Sequence, residues 1–434
     1  MRALFLLASA SAALAALVAC ATSDEVIANE MPAPEEAGVL PPTPPDASDA
    51  AVDAMDAVVV RCSPDGWCST SLPDTDLSMK DIWPVSADRA FAIAESVTVG
   101  VKVLEWRAED GAWKYIDDNS QNQLDGAFAG SIWAPDADTV YYAVSSYIYR
   151  GTRLAPPASG WSWSRQKLED NSHVGDPTHA THDHGRTSSN DPLVGVWGLD
   201  ADDVYAWYSN TIFHWKSENG AAASWVAEYV ADDPDEDTQH LFFVSAAGSG
   251  PNDIWFAGAR KGIWEVSDSI YDCAIIVRKT ATGFARVADG TPVSANCSER
   301  TGFPLVGGSA GWLTSIQSTS PGTVTGIKTT GFPASTEVLQ LSSEIATLRE
   351  DPVPALERAP SSLFSYWRSP DHEWLTGWGF VLRGEEAGDG MTYSNSSLVL
   401  DGNPTRAAMH RIRGTAETNI WAIGDGYAFH KTTL

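Results

Sequence analysis

Basic residues are scarce in this chain of 434 residues. Lys plus Arg number 28 against 57 Asp plus Glu, for a formal net charge of −29. Nucleic-acid binding needs a basic footprint, so this composition excludes nucleic acid as the expected partner. After the first twenty residues no apolar run is long enough for a membrane-spanning helix. No segment sustains a period of 3.6 over several turns, which excludes helical repeat folds. A nucleophile elbow, a P-loop, a dinucleotide fingerprint and an HExxH pattern are all missing. Cysteine is limited to five residues, none in CxxC spacing.

The N-terminus "MRALFLLASASAALAALVAC" has one Arg followed by an apolar run too short to span a bilayer. Residues 1–19 therefore read as a secretory signal peptide. The closing "LVAC" resembles the lipobox of bacterial lipoproteins, and the resemblance implies that Cys20 carries the lipid. Several acyl chains on one Cys make a durable anchor, at about 0.8 kcal/mol per buried CH₂. The alternative is an ordinary signal peptide cut near Ala16 or Ala21. Residues 20–58 continue rich in Ala, Pro, Asp and Glu, with no Lys or Arg. Such a stretch cannot bury enough apolar surface to offset its chain entropy, and it reads as a tether. Folded structure is expected over 59–434, where aromatic content is ample. The four remaining cysteines suit an exported protein. Cys62 and Cys68 lie close together, which leaves Cys273 and Cys297 as the second expected disulfide; a metal reading of the four is weaker without CxxC.

One pattern recurs. "DIWPVSADRAFAIA" starts at 81, "SIWAPDADTVYYAV" at 131 and "GVWGLDADDVYAWY" at 195. Each has Trp, then Ser or Asp three residues on, then Asp two further, then an apolar-aromatic pair. Looser copies follow, with register positions at 244, 317, 367 and 413; Gln317 and Arg413 replace the Trp. Seven copies result, at a mean spacing of about 55 residues. The third copy reads as four strands, "LVGVWGL", "DVYAWYS", "TIFHWKS" and "SWVAEYV", separated by Asn, Asp and Gly. Four-stranded units at this period predict an all-β, seven-bladed β-propeller. Asp200 and Asp202 should hold a turn through side-chain-to-backbone bonds, with the Trp packed between sheets; calcium or ligand contact by these Asp is the alternative. At these residues the chain resembles exported bacterial β-propeller repeat lipoproteins, whose blades carry a Val-Trp-Gly…Asp-Val-Trp-Ala-Val-Gly core. That resemblance implies fold and location rather than chemistry.

The seventh copy supplies only three strands before the chain stops, in "RIRGT", "NIWAIG" and "YAFHKTT". An orphaned "SPDGWCSTSLP" from Ser63 carries the Gly-before-Trp pattern of the outer strand "DGAWKYI". Residues 62–72 should therefore close the ring as the outer strand of the seventh blade, with Trp67 in the slot of Trp113.

Long connections are expected at 117–127, 169–191, 231–240, 288–311 and 330–362, all on one face of the ring; "SSEIATLRE" at 342–350 could form a short helix. Insertions gathered on one face mark a binding face. His173, His179, His182 and His184, with Asp183, have metal-like spacing, but a polar display loop is the preferred reading. Asp232, Asp233, Asp235 and Asp237 lack the Gly and closing Glu of a calcium loop. No metal or cofactor is expected. The leading expectation is a monomeric, extracytoplasmic, lipid-anchored propeller, on an outer membrane or cell surface, that binds a protein or glycan at its loop-rich face without catalysis. The alternative is a propeller-type carbohydrate hydrolase or lyase, and a purely structural role ranks last. Mass spectrometry of the mature N-terminal peptide should show an acylated Cys20; an unmodified start at Ala21 would end the lipoprotein reading.

Overall fold

In the computed structural model, the described residues are 61–433 apart from 125, 172–193, 218–220, 232–238, 264–269, 294–295, 307–310, 330–336, 346, 354–362, 389 and 401–402. They form seven four-stranded antiparallel sheets. Blade 1 is Ser78–Ser86, Arg89–Ser96, Gly100–Arg107 and Ala112–Tyr115; blade 2 is Ala129–Trp133, Thr139–Val144, Tyr147–Arg153 and Trp161–Lys167. Blade 3 is Val194–Asp200, Asp203–Tyr208, Thr211–Lys216 and Ser224–Val230; blade 4 is Gln239–Gly250, Asp253–Ile263, Ile270–Thr280 and Gly283–Ala288. Blade 5 is Trp312–Ser320, Thr323–Thr329, Glu337–Ser342 and Thr347–Pro352; blade 6 is Ser365–Arg368, Glu373–Thr376, Val381–Ala387 and Gly390–Ser396. Blade 7 takes Met409–Ala416, Asn419–Gly424 and Tyr427–Lys431 from the C-terminus and Trp67–Ser69 from the N-terminus. The first strand of each blade packs against the first strands of its two neighbours, so these seven strands line a central channel. The seven-bladed β-propeller is thus the fold of this chain. Its one helix among the described residues is the short 3₁₀ turn Ser120–Gln123.

The core is seven wedges, one at each blade junction. Strand periodicity explains how one sheet serves two wedges. In the second strand of blade 1, Ala90, Ala92 and Ala94 face the blade 7 junction, while Phe91 and Ile93 face blade 2. Side chains alternate across a sheet, so a strand buried on both faces reads as a continuous apolar run. The Trp of the first strand bridges to the next blade. Trp83 meets Trp133 edge-on at 6.3 Å. Trp133 then lies over Gly198, where a Cβ would come within 2.8 Å of its ring, and Trp367 lies over Gly414 in the same way. The turn after the Trp is held as expected: the Asp200 carboxylate accepts the backbone N–H of Asp202 at 2.9 Å, and Asp136 accepts that of Asp138 at 2.8 Å.

Ring closure follows the expected route. Trp67, Cys68 and Ser69 pair antiparallel with Lys431, His430 and Phe429. Trp67 is fully buried, donates its indole N–H to Ser396 Oγ at 2.8 Å, and meets Trp374 of the preceding blade edge-on at 5.8 Å. Trp113 meets Trp421 of its own preceding blade in the same manner at 5.3 Å, so the two tryptophans occupy equivalent slots. Both disulfides form. Cys62–Cys68 clips the residues just ahead of the closing strand to the strand itself. Cys273–Cys297 ties the third strand of blade 4 to an added hairpin, Gly290–Val293 with Asn296–Glu299.

Three expectations need correction. In the fourth copy the register position is Ala247, not Val244: Ala247 pairs with Trp255 as Trp197 pairs with Tyr205. The turn after Ala247 is as long as that of blade 3, with Gly250 paired to Asp253 as Asp200 is to Asp203, and it was Ala in the Trp slot that displaced the match in the sequence. The segment 330–362 is not one insertion, because Glu337–Ser342 and Thr347–Pro352 are the third and fourth strands of blade 5. Residues 342–350 accordingly turn and extend rather than form a helix, since Ser342 ends one strand and Thr347 starts the next. A further hairpin, Val399–Leu400 with Asn403–Pro404, joins blades 6 and 7.

Two consequences concern the closing blade. Trp67→Ala should destabilise the propeller by about 3–5 kcal/mol, the range for a buried aromatic reduced to Ala; urea unfolding measures it. His430 lies in the same blade, stacked on Trp421 at 4.0 Å and bonded through Nε2 to Asn419 Oδ1 at 2.8 Å. Burial pushes its pKa down to about 4. The folded state therefore disfavours the proton that the unfolded chain takes up. Stability should be full above the unfolded value near 6.5 and fall as pH drops toward 4, by on the order of 3 kcal/mol in all. His430→Gln should flatten that stretch of the stability–pH curve, and an unchanged slope would count against the assignment.

Candidate functional site

The first strands run from the face carrying the long connections, here the loop face, to the face carrying the short Asp turns, here the turn face. Two sites follow from that direction. One is the channel mouth on the turn face; the other is a rim of side chains on the loop face.

The register positions Trp83, Trp197, Ala247, Gln317, Trp367 and Arg413 line a cavity of about 290 Å³ at the turn-face end of the channel. Two residues earlier in each blade stand Asp81, Ser131, Gly195, Ser245, Ser315, Ser365 and Arg411. These form a polar belt that joins blade to blade. Asp81 accepts the backbone N–H of Ile132 at 3.0 Å, and Ser131 that of Val196 at 2.7 Å. Ser245 accepts that of Ile316 at 3.1 Å. Arg411 donates to Ser315 Oγ at 2.9 Å and pairs with Asp81 at 3.0 Å, which links blades 5, 7 and 1 across the channel. In five blades the strand bulges at or beside this position, which turns the belt residue toward its neighbour. Blade 3 has Gly195 instead, since a Cβ there would run into the Trp207 ring. Sequence reading missed the belt. Its signal is a small or charged residue two places before each register position, and it emerges fully only once the fourth register is set at Ala247.

Arg413 stands at the channel mouth with its guanidinium 4.3 Å from the centre of the Trp83 ring. Burial in the channel wall holds its pKa down to about 10, so it stays charged at neutral pH. Asp81, the carboxylate that acts on it, is already engaged by Arg411 and by two backbone amides.

On the loop face, Val97 and Trp378 occupy the second-to-third-strand turns of blades 1 and 6 and Tyr427 opens the third strand of blade 7; these blades adjoin in the ring, and the three side chains are 97%, 58% and 37% exposed. Contacts connect the turns: Trp378 meets Phe364, Phe364 meets His410, and His410 Nε2 bonds Asp425 at 2.8 Å. Ser78 completes the row, 3.3 Å from the same nitrogen and bonded to Asp425 Oδ1. Ser, His and Asp meet here, but not as a relay. A catalytic triad needs the serine and the carboxylate on opposite ring nitrogens. Both engage Nε2, and Nδ1 is buried without a partner. The hydrogen bond from His410 leads the causes that hold Asp425 down to about 2. This cluster braces the rim.

Cys20, the His173–His184 loop with Asp183, and Asp232 to Asp237 lie outside the described residues. Among the described residues no group of three His, Cys, Asp or Glu could hold a metal, and no helix is long and apolar enough to cross a membrane.

No protein-family model and no curated protein matches the chain. Solved structures do. YCF48 from Cyanidioschyzon merolae superposes with a TM-score of 0.51 at 14% identity, over 84% of this chain and 98% of that one. The extracellular domain of the one component system BT4673 from B. thetaiotaomicron gives 0.48 at 10% identity, over 84% of this chain and 40% of that one. An alpha-L-arabinofuranosidase, arb93a from Fusarium graminearum, gives 0.40 at 13% identity, over 74% and 92%. At this identity the likeness to YCF48 supports the propeller fold and says nothing of a ligand.

The belt yields a direct test. Ser131→Ala removes the acceptor for the Val196 amide and leaves that buried N–H unpaired, at a cost of about 1–3 kcal/mol. Chemical denaturation should show a loss in that range, and hydrogen exchange at Val196 should quicken.

Proposed function

We propose that this protein is an extracytoplasmic, lipid-anchored propeller that binds a protein or glycan on its loop face and carries out no reaction itself. One observation carries the reading. Of the six large apolar side chains that are exposed among the described residues, Leu154 alone lies at a turn-face loop; Val97, Val230, Val293, Trp378 and Tyr427 all belong to the loop face. Scattered exposed hydrophobics are ordinary, but Val97, Trp378 and Tyr427 stand on three adjoining blades. Trp and Tyr bring large rigid contact area with one polar tip, the composition of binding hot spots. Location rests on the signal-like N-terminus, the "LVAC" motif at Cys20 and the two disulfides, which suit an oxidising compartment.

A carbohydrate hydrolase or lyase is the second reading, and Asp272 is the residue that favours it. Burial pushes this carboxyl up to about 6, the range of a general acid, against the pull of Lys261. Most other buried carboxylates are anchored: Glu105, Asp289 and Glu373 each pair with two or more arginines. Turnover on a glycan panel that disappears in Asp272→Asn would put catalysis first.

Binding of the mature protein to glycan and protein arrays tests the leading reading. Trp378→Ser should weaken the captured ligand at least tenfold and leave the melting temperature unchanged, since the side chain is more exposed than buried. Full binding by a Trp378→Ser, Tyr427→Ser double variant would overturn it.

A further inference from the structure

The loop-face reading leaves the channel mouth on the opposite face unexplained. We infer that this mouth is a second binding site, which takes a small organic carboxylate on Arg413 against the face of Trp83.

The argument begins with substitution within the repeat. Arg413 occupies the register slot that is Trp in four blades, and it lies over Trp83 as those tryptophans lie over the blade ahead. The stacking role alone would be met by Trp or Gln. A guanidinium adds a charge, and a charge half-withdrawn from water is normally paired. Asp81 on blade 1 and Arg411 on its own strand are the charged groups that act on it. Among the described residues that line the cavity the charged ones are Asp81, Arg411 and Arg413; Arg411 already answers Asp81, so the lining sums to one positive charge, on Arg413. On blade 6, Arg368 is held by Glu373 and Glu386, and on the blade 7 turn Glu417 is held by Ser369 and His372. In a chain carrying −29, a cation left over beside an open cavity calls for an anion from outside.

Three features set the class of that anion. The mouth supplies one uncompensated positive charge, which a monoanion matches and a phosphate dianion exceeds. A guanidinium edge presents paired donors that fit a carboxylate in plane. The ring of Trp83 lies against the guanidinium and shields one side of it. Finally, 290 Å³ is at the bottom of the range for drug-sized ligands, so the occupant is a small acid, the size of a sugar acid or shorter. Half-buried Trp197 and Trp83 offer aromatic surface to its body, and Ser318 and Thr415 offer hydroxyls.

Calorimetric titration of the mature protein with D-glucuronate, acetate, inorganic phosphate and D-glucose tests the site. Glucuronate or acetate should bind saturably, and the tighter of the two tells whether the ligand's body contributes. Arg413→Gln should weaken that binding at least tenfold, and Arg413→Lys should lose less. The indole N–H resonance of Trp83 should shift with the acid and not with glucose, which reads the site in the unaltered chain should Arg413→Gln fold poorly. Trp378→Ser, on the other face, should bind the acid as the parent does, so the two sites fail or stand separately. No saturable binding of either acid, equal binding of glucose, tighter binding of phosphate, or an unaffected folded Arg413→Gln variant would overturn the inference.

Discussion

The ring depends on one repeated contact. At five blade junctions an aromatic side chain of the outer strand meets, edge to face, the second-strand aromatic of the blade before it. The pairs are Trp161 with Phe91, Trp225 with Tyr141, Phe284 with Tyr205, Trp67 with Trp374 and Trp113 with Trp421, with interplanar angles of 67° to 82°. Each pair adds about 0.5–1.5 kcal/mol beyond the area it buries. More important is where the force acts. Outer strands lie at the rim, where neighbouring sheets splay apart and small side chains would leave a gap. The aromatic fills the widest part of the wedge, while Ala90, Ala92 and Ala94 fill a narrower part of one. Small residues inward and large ones outward give the sheet stack its curvature, and seven such wedges complete the circle.

A circle of wedges is only as good as its last joint. The Trp67–Trp374 contact joins the N-terminal strand to blade 6, and the strand itself pairs with the C-terminal strand, so both ends of the folded chain are held in one blade. The polar belt does the same work at the inner radius. Arg411 reaches from blade 7 to Asp81 of blade 1 and Ser315 of blade 5, so the junction of blades 7 and 1 carries an ion pair in the belt. The belt's ion pair therefore supports, at the inner radius, the junction of blade 1 with the blade that both chain ends share, while the discontinuity itself is bridged by the pairing of Trp67–Ser69 with the C-terminal strand.

Much of this was legible in the sequence because two of its causes are periodic. Trp at the register position, Asp in the turn and an aromatic about eight residues on recur wherever a blade needs a bridge, a turn and a rim filler. Closure was legible because Gly66 and Trp67 stand as an outer strand without a blade. The fourth register was lost because Ala247 stands in place of the Trp, and "GSGPND" lacks the Asp three and five residues on, although its turn is as long as "GLDADD" in blade 3. Blade 5 was lost in part because its third and fourth strands, "EVLQLS" and "TLREDP", carry no aromatic. The belt was hidden for another reason. Serine in a strand looks unremarkable until the ring shows that every such serine faces the channel. Arg413 was visible as a departure from the Trp slot, but its isolation as a charge depends on Arg411 meeting Asp81 across a joint made by residues 330 apart.

That joint also bears on what the scaffold can bind. The two faces of the ring are built from opposite ends of the same strands and have opposite requirements. At the turn face, short Asp turns and the Trp bridge hold the strand ends close, leaving a narrow polar mouth suited to a small ion. At the loop face, the strands diverge into hairpins and long links, the Gly290–Glu299 hairpin is held down by Cys273–Cys297, and apolar side chains are left exposed. A surface of that breadth suits a macromolecule. Acidic residues over the rest of the chain repel anions at long range, but salt screens that repulsion within about 8 Å under physiological conditions. The cation at the mouth therefore governs the last step of approach, and selectivity there comes from local fit around Arg413 rather than from the field of the whole protein.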